Sequence, residues 1–333
     1  MSDHNLKPGA RNLITDVEGV TVGNATDEKA QTGVTILRCA NAFVAAVDVR
    51  GGAPGTRETE VLASENLVGR ADAIVLTGGS VFGLAAADGA ASALCVDGVG
   101  LRLGDKGPAI PIVPAAVLYD LANGGAKDWG ETPPYRALGA KAVRSASADF
   151  ALGSVGAGRG AMAGIVKGGL GSASLTLEDD LTVGALVAAN PVGSVYMADG
   201  ETFHAWPYEM DNEFGGKSPP TIREHAEPFP DKSRLAQRMQ AGANTTIAIV
   251  ATNAGLTNNE AKRIAMMAHD GIARAVRPAH TAFDGDIVFA IATATRQLSN
   301  EPQIRHGLVA RIGAAASDCL TRAIARAVYE AGR

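Results

Sequence analysis

Asn244-Thr245-Thr246-Ile247-Ala248-Ile249-Val250-Ala251-Thr252 is the stretch on which the reading of this chain turns. A short polar start runs straight into an apolar run rich in β-branched residues, which predicts a strand over Thr246 to Thr252. Downstream, Thr257-Asn258-Asn259-Glu260 has the spacing of a capping box and predicts a helix from Asn258 to about Val276. A strand over Ile287 to Thr293 follows. A last helix then runs from about Leu308 to Glu330, with Leu308, Ile312, Leu320, Ile324 and Val328 on one face. Upstream, residues 207–240 hold five of the chain's 15 prolines among charged residues and read as a long exposed connection. Residues 151–195 are glycine-rich and strand-like. The first half alternates strands (Val34 to Leu37, Phe43 to Val49, Ala73 to Thr77) with an alanine-rich helix, Phe82 to Val96. The class is α/β.

Composition narrows the function. Of 333 residues, 62 are alanine and 40 are glycine, yet hydrophobic residues make up 46 % and no G-X-Y period occurs, so the pattern is that of a globular enzyme rather than a fibre or linker. Length allows one large or two ordinary domains. The net charge of −5, without a run of Lys or Arg, argues against nucleic acid as a partner. Cys39, Cys95 and Cys319 are odd in number and widely spaced, which suits reduced core thiols and a cytoplasmic setting. The polar start, Met1 to Arg11, lacks a signal-peptide core, and no apolar stretch has the length of a membrane span.

Several motifs fail on context. Gly156-Ala157-Gly158-Arg159-Gly160-Ala161 fits the loose dinucleotide pattern, but no helix is expected after it. Gly216-Lys217-Ser218 ends like a P-loop, with Asp211 where the first glycine belongs. Gly78-Gly79-Ser80-Val81-Phe82-Gly83 follows a strand and opens a helix, but lacks the second glycine of a nucleophile elbow. It reads as a turn with Ser80 as N-cap. The six histidines form no H-x-H or H-x-x-x-H pair, so no metal is called for, and His269 and His280 read as structural.

The Asn244-Thr245 pair is chemically richer than its spacing suggests. A cut before Thr245 would put a hydroxyl nucleophile and a free α-amine on one residue, and an α-amine with a pKa of about 7.7 to 8.0 is a suitable base at neutral pH. The same hydroxyl can make the cut by attacking the Asn244 carbonyl.

With Thr245 in view, the chain resembles the DmpA-like aminopeptidases of peptidase family S58, and within them the branch of endo-type 6-aminohexanoate (nylon) oligomer hydrolases. The matching stretches are Asp48 to Thr59, Ala73 to Leu84, Gly158-Arg159-Gly160, Lys167-Gly168-Gly169, Asn190-Pro191-Val192-Gly193, Asn244-Thr245-Thr246 and His280 to Asp286. The likeness runs from about Asn12 to Thr295. It implies a four-layer αββα sandwich of the N-terminal-nucleophile type, two stacked sheets flanked by helices. It also implies one domain over 1–333, self-cleaved into an α chain 1–244 and a β chain 245–333, and a homo-tetramer of such pairs.

Site residues carry over by position. Thr245 matches the N-terminal nucleophile, freed by cleavage after Asn244. Lys167 matches a lysine near it, and the small apolar run before it favours a buried amine with a shifted pKa. Asn190 and Tyr119 match donors to the tetrahedral oxyanion. Asp284 and Asp286 match the oligomer-hydrolase branch's D-x-D pair, where the aminopeptidases carry Ser and Glu. The expected function is thus amide hydrolysis of small peptides or amide oligomers, with no cofactor. Two rivals stand: a nucleotide- or NAD-binding oxidoreductase built on the glycine turns, and a non-catalytic protein of the same fold.

Overall fold

In the computed structural model, which describes residues 6–220, 227–234 and 244–333, the apolar run becomes the strand Thr245–Ala254. It is buried on both faces. In chain order the strands are β1 (Val20–Asp27), β2 (Thr32–Val49), β3 (Thr56–Arg57), β4 (Arg70–Thr77), β5 (Ala115–Val117), β6 (Met162–Ala163), β7 (Val166–Lys167), β8 (Gly169–Thr176), β9 (Thr182–Asn190), β10 (Thr245–Ala254) and β11 (Ile287–Arg296). The helices are α1 (Ala85–Val96), α2 (Tyr135–Arg144), α3 (Asn258–Ala275) and α4 (Pro302–Ala331). The capping box forms as expected, with Glu260 N–H donating to Thr257 Oγ1 at 3.3 Å and Thr257 N–H to Glu260 Oε2 at 2.8 Å.

Among the described residues the main sheet has the order β3-β5-β4-β2-β11-β10-β9-β8, with β1 on the other side of β2, while β6 and β7 pair separately. Strand alternation explains the layering. Ile247, Ile249 and Ala251 of β10 share a core with Ile74 and Leu76 of β4, whereas Ala248 and Val250 face the opposite way, onto α3 and α4. Ala73 and Val75 of β4 turn outward onto α1 and α2. The result is helix, sheet, sheet, helix, an αββα sandwich.

One expectation needs refining. The two stacked layers belong to a single hydrogen-bonded sheet, because the 18-residue β2 serves both. Its first half pairs with β1 and β4 and its second with β11, and the β4 register breaks between Arg38 and Phe43, beside the exposed Ala40, Asn41 and Ala42. Val34 and Ile36 of β2 accordingly pack towards α1 and α2, and Ala46 towards α3 and α4. The two strands expected at Val34 to Leu37 and Phe43 to Val49 are parts of this one element.

Two smaller corrections concern helix starts. The turn after β4 does lead into a helix, but Gly79, with φ +85°, takes the N-cap place and Ser80 is the first residue of a 3-10 turn with φ +51°. The Gly79 N–H is held by the buried Asp120 carboxylate at 2.8 Å, so a distant side chain does what a local cap would have done. The last helix begins at Pro302, earlier than the apolar periodicity indicates, because its first turn is solvent-exposed.

Small residues let backbones meet. A Cβ on Gly171 of β8 would overlap the Ala323 carbonyl oxygen of α4, and one on Gly139 of α2 would overlap the Ala86 carbonyl of α1. Gly171→Val should therefore destabilise the fold by roughly 3 kcal/mol, through overpacking against backbone that has no rotamer to yield. Gly307→Ala, in α4 with open space around it, should stabilise by roughly 0.5–1 kcal/mol. Urea unfolding of the two variants checks both signs.

Candidate active site

The antiparallel register of β9 and β10 sets Thr245 opposite Asn190, and both are buried. Asn244 and Asp284 form an isolated parallel bridge just before β10 and β11 begin, so the D-x-D loop lies beside the Asn244–Thr245 peptide. Gly285 N–H donates to the Asn244 carbonyl oxygen at 3.0 Å, and the Thr245 hydroxyl donates to that same oxygen. A Cβ on Gly285 would lie 2.7 Å from Ala53 O and 2.9 Å from Thr245 Oγ1, so only glycine leaves room for the threonine here.

The two aspartates hold backbone on either side of Thr245. Asp286 Oδ1 accepts from Thr246 N–H at 2.7 Å, and its Oδ2 accepts from His280 N–H at 3.1 Å and faces His280 Nδ1 at 2.8 Å. Asp284 Oδ1 accepts from Val192 N–H at 3.0 Å, and its Oδ2 from the N–H and hydroxyl of Thr281 at 2.9 and 2.6 Å. Burial pushes the Asp284 carboxyl up to about 6, the Asp286 charge adding to the effect against the pull of those hydrogen bonds. The Gly-rich loop after β2 clamps this pair from behind: Arg50 and Gly51 N–H donate to Asp286 O at 3.0 and 3.2 Å, and Ala53 N–H to Asp284 O at 2.9 Å.

A polar chain continues away from the threonine. The His280 ring packs edge-on to His269 at 5.0 Å, and His269 Nε2 lies 3.0 Å from the Asp48 carbonyl oxygen. Burial opposes a charge on His280, but the Asp286 hydrogen bond and charge raise its pKa above the usual value. Burial lowers His269 to about 4. Burial would raise the Asp48 carboxyl, yet hydrogen bonds from Lys262 and Arg50 hold it below the usual range.

Not every expected residue converges. Asn190 does: its Oδ1 accepts from Met162 N–H at 2.9 Å, and its Nδ2 donates to Tyr119 O at 3.3 Å. Tyr119 thus reaches the cluster through its backbone carbonyl. Lys167, expected buried, is exposed. Position 168 points into β9, where a Cβ would overlap Ala189 O, so the alternation of an extended chain turns Lys167 to the other side. It remains at the rim as register partner of Met162, the residue whose N–H holds Asn190.

The connection 207–240 is also less exposed than expected, since Phe214, Ser233 and Arg234 are buried; residues 221–226 and 235–240 of it lie outside the described residues. Arg234 enters the site, donating from Nη1 to Asn244 Oδ1 at 2.6 Å. No local pattern marks it, lying as it does among charged and Pro-rich residues. His280 and Gly285 stood inside a matching stretch, but the histidine read as structural. The dinucleotide-like stretch forms a 3-10 turn, Gly156–Gly158, leading into β6 rather than a helix, and its glycines meet backbone: a Cβ on Gly158 would overlap Leu170 N, and one on Gly160 would lie 2.5 Å from Gln31 O.

The chain belongs to Peptidase family S58, whose model matches residues 12–333. It is similar to an uncharacterized aminopeptidase of Mycobacterium leprae (strain TN), 43 % identical over 98 % of this chain and 92 % of the relative. It is also similar to the 6-aminohexanoate-oligomer endohydrolase of Kocuria sp. (strain KY2), 32 % identical over 96 % of this chain and 86 % of that one. In fold it matches the L-aminopeptidase D-Ala-esterase/amidase of Ochrobactrum anthropi, described as a variant of the Ntn hydrolase fold, with a TM-score of 0.67 at 23 % identity over 98 % of this chain and 88 % of that one. The protein is a hydrolase of amide bonds. No helix among the described residues is long and apolar enough to cross a membrane.

Gly285→Ala should fold yet lose most amidase activity, checked by comparing circular dichroism with turnover of a chromogenic amide. A carboxyl raised in the folded state contributes stability at low pH that is lost as pH climbs from the ordinary carboxylate range through about 6. Stability of Asp284→Asn relative to wild type should therefore rise by up to about 3 kcal/mol between about pH 4 and pH 7, read from urea unfolding at each pH.

Proposed function

We propose that the protein is a self-processing N-terminal-threonine amide hydrolase that cuts its own Asn244–Thr245 bond and then hydrolyses peptides or peptide-like amides. The observation that carries the proposal is the arrangement at the start of β10: a buried Thr245 hydroxyl on the preceding carbonyl, with Gly285 N–H donating to that oxygen. In self-cleavage Thr245 Oγ1 attacks the Asn244 carbonyl carbon, the C–N bond breaks, and the hydroxyl proton passes to the departing nitrogen. Water then hydrolyses the ester, leaving chains 1–244 and 245–333.

In the cut protein the α-amine of Thr245 takes the hydroxyl proton as Oγ1 attacks a substrate amide, and returns it to the leaving amine. Asn190 serves the oxyanion with its amide across the ladder from Thr245, and Tyr119 supports it by accepting from Asn190 Nδ2 with its backbone carbonyl. Asp286 and Asp284 orient the nucleophile by holding the backbone beside it. Lys167, exposed at the rim, meets substrate rather than acting as a buried base. No cofactor enters the scheme. The relatives' names suggest two substrate classes, N-terminal residues of peptides and 6-aminohexanoate oligomers. Assembly as a tetramer of cut pairs rests on the family likeness, and a cytoplasmic setting on the three free cysteines.

The test is a panel of aminoacyl anilides, β-amino amides and 6-aminohexanoate oligomers. Thr245→Ser should keep measurable turnover, and Thr245→Ala none. Asn190→Ala should lose about 10²- to 10³-fold in kcat, as removal of an oxyanion donor does. Undiminished turnover by Thr245→Ala would reject the scheme.

A further inference from the structure

Arg234 lies ten residues before the proposed cut, in a segment that composition marks as connection, yet it is only 6 % exposed. Its backbone N–H donates to Val192 O at 2.9 Å, its Nε to Gly164 O at 2.8 Å, and its Nη2 to Met162 O at 3.2 Å. These contacts anchor the segment. The others point at the reacting groups: Nη1 donates to Asn244 Oδ1 at 2.6 Å, and Nη2 approaches Asn190 Oδ1 at 3.5 Å. Burial lowers the guanidinium pKa to about 10, with the Asp284 charge opposing, so it carries its proton at neutral pH.

A buried guanidinium is costly unless its N–H groups are matched, and its planar fork fixes direction as well as distance. The carbonyl oxygen of Asn244 is held on one side by Gly285 N–H, and its side chain on the other by Arg234. Two holds on one residue restrict rotation about its backbone, which is what a hydroxyl attacking the next carbonyl requires. We propose that Arg234 is the positioning residue of self-cleavage, gripping the Asn244 side chain so that the Asn244 carbonyl carbon stays in reach of the Thr245 hydroxyl. The inference rests on the self-cleavage reading. Arg234 exchanges no proton: the Thr245 Oγ1–carbon bond forms, the carbon–nitrogen bond breaks, and the hydroxyl proton goes to the Thr245 nitrogen.

The alternative is that Arg234 only anchors the connection, through Gly164, Met162 and Val192. Asn244→Ala separates the two, because it removes the grip and leaves those anchors in place. Full-length wild type, Arg234→Ala, Arg234→Lys, Asn244→Ala and the Arg234→Ala/Asn244→Ala double variant are synthesised in a cell-free pulse. Conversion of the intact chain is then followed on a denaturing gel. Each alanine variant should cut on the order of ten- to a hundredfold more slowly than wild type, the scale of one charge-assisted hydrogen bond. The double variant should be no slower than the slower single, and Arg234→Lys should fall between. Millimolar methylguanidinium should speed Arg234→Ala and leave Asn244→Ala unchanged.

Wild-type rates in Asn244→Ala, or single effects that multiply in the double variant, overturn the proposal. If circular dichroism finds Arg234→Ala unfolded, Asn244→Ala and Arg234→Lys still decide it. A wild-type chain that stays whole would instead sink the self-cleavage reading itself, and Arg234's part with it.

Discussion

The structure depends on where β10 begins. Its first residue sits in the hydrogen-bonded ladder opposite Asn190, with β9 antiparallel on one side and β11 parallel on the other. A strand so placed has no freedom to shift by one residue, because a slip would send Ile247 and Ile249 out of the inter-sheet core and Ala248 and Val250 into it. Register is thereby converted into chemistry. The packing of these four apolar side chains fixes Thr245 opposite Asn190, with its hydroxyl on the Asn244 carbonyl, with an accuracy that a surface loop would lack.

The polar groups around that point make sense as a consequence. Burying Asn244, Thr245, Asn190, Asp284 and Asp286 together costs solvation, and the fold offsets it with donors from five separate segments: the loop after β2, β6 at Met162, the turn after β9, the connection at Arg234 and the His280 turn. The Gly-rich loop after β2 has little side chain of its own to offer. Its contribution is N–H groups at Arg50, Gly51 and Ala53, brought close because Gly51 lacks a Cβ that would overlap Asp286 N.

Much of this was legible in the chain. Strand and helix periods mark β10, β11, α3 and α4, and a Thr-x-x-Glu cap fixes where α3 begins, because these signals are local. The resemblance supplied Thr245, Asn190 and the two aspartates, and the structure brings all four together. What stayed hidden depends on long-range contact. Arg234 has no local pattern to mark it, and its burial comes from carbonyls of residues 162 and 164 and from Asn244. Lys167 misled because the apolar run before it says nothing about which way an extended residue faces once Gly168 is pressed against β9. That two layers are one sheet was hidden too, since the exposed break at Ala40 to Ala42 looks like a loop between two strands.

The central claim is that the chain does not persist whole, and intact-mass measurement with N-terminal sequencing of the purified protein tests it most directly. The account predicts two polypeptides that copurify, the smaller beginning Thr-Thr-Ile-Ala from Thr245 and the larger ending at Asn244. A single uncut polypeptide with full amidase activity would contradict it.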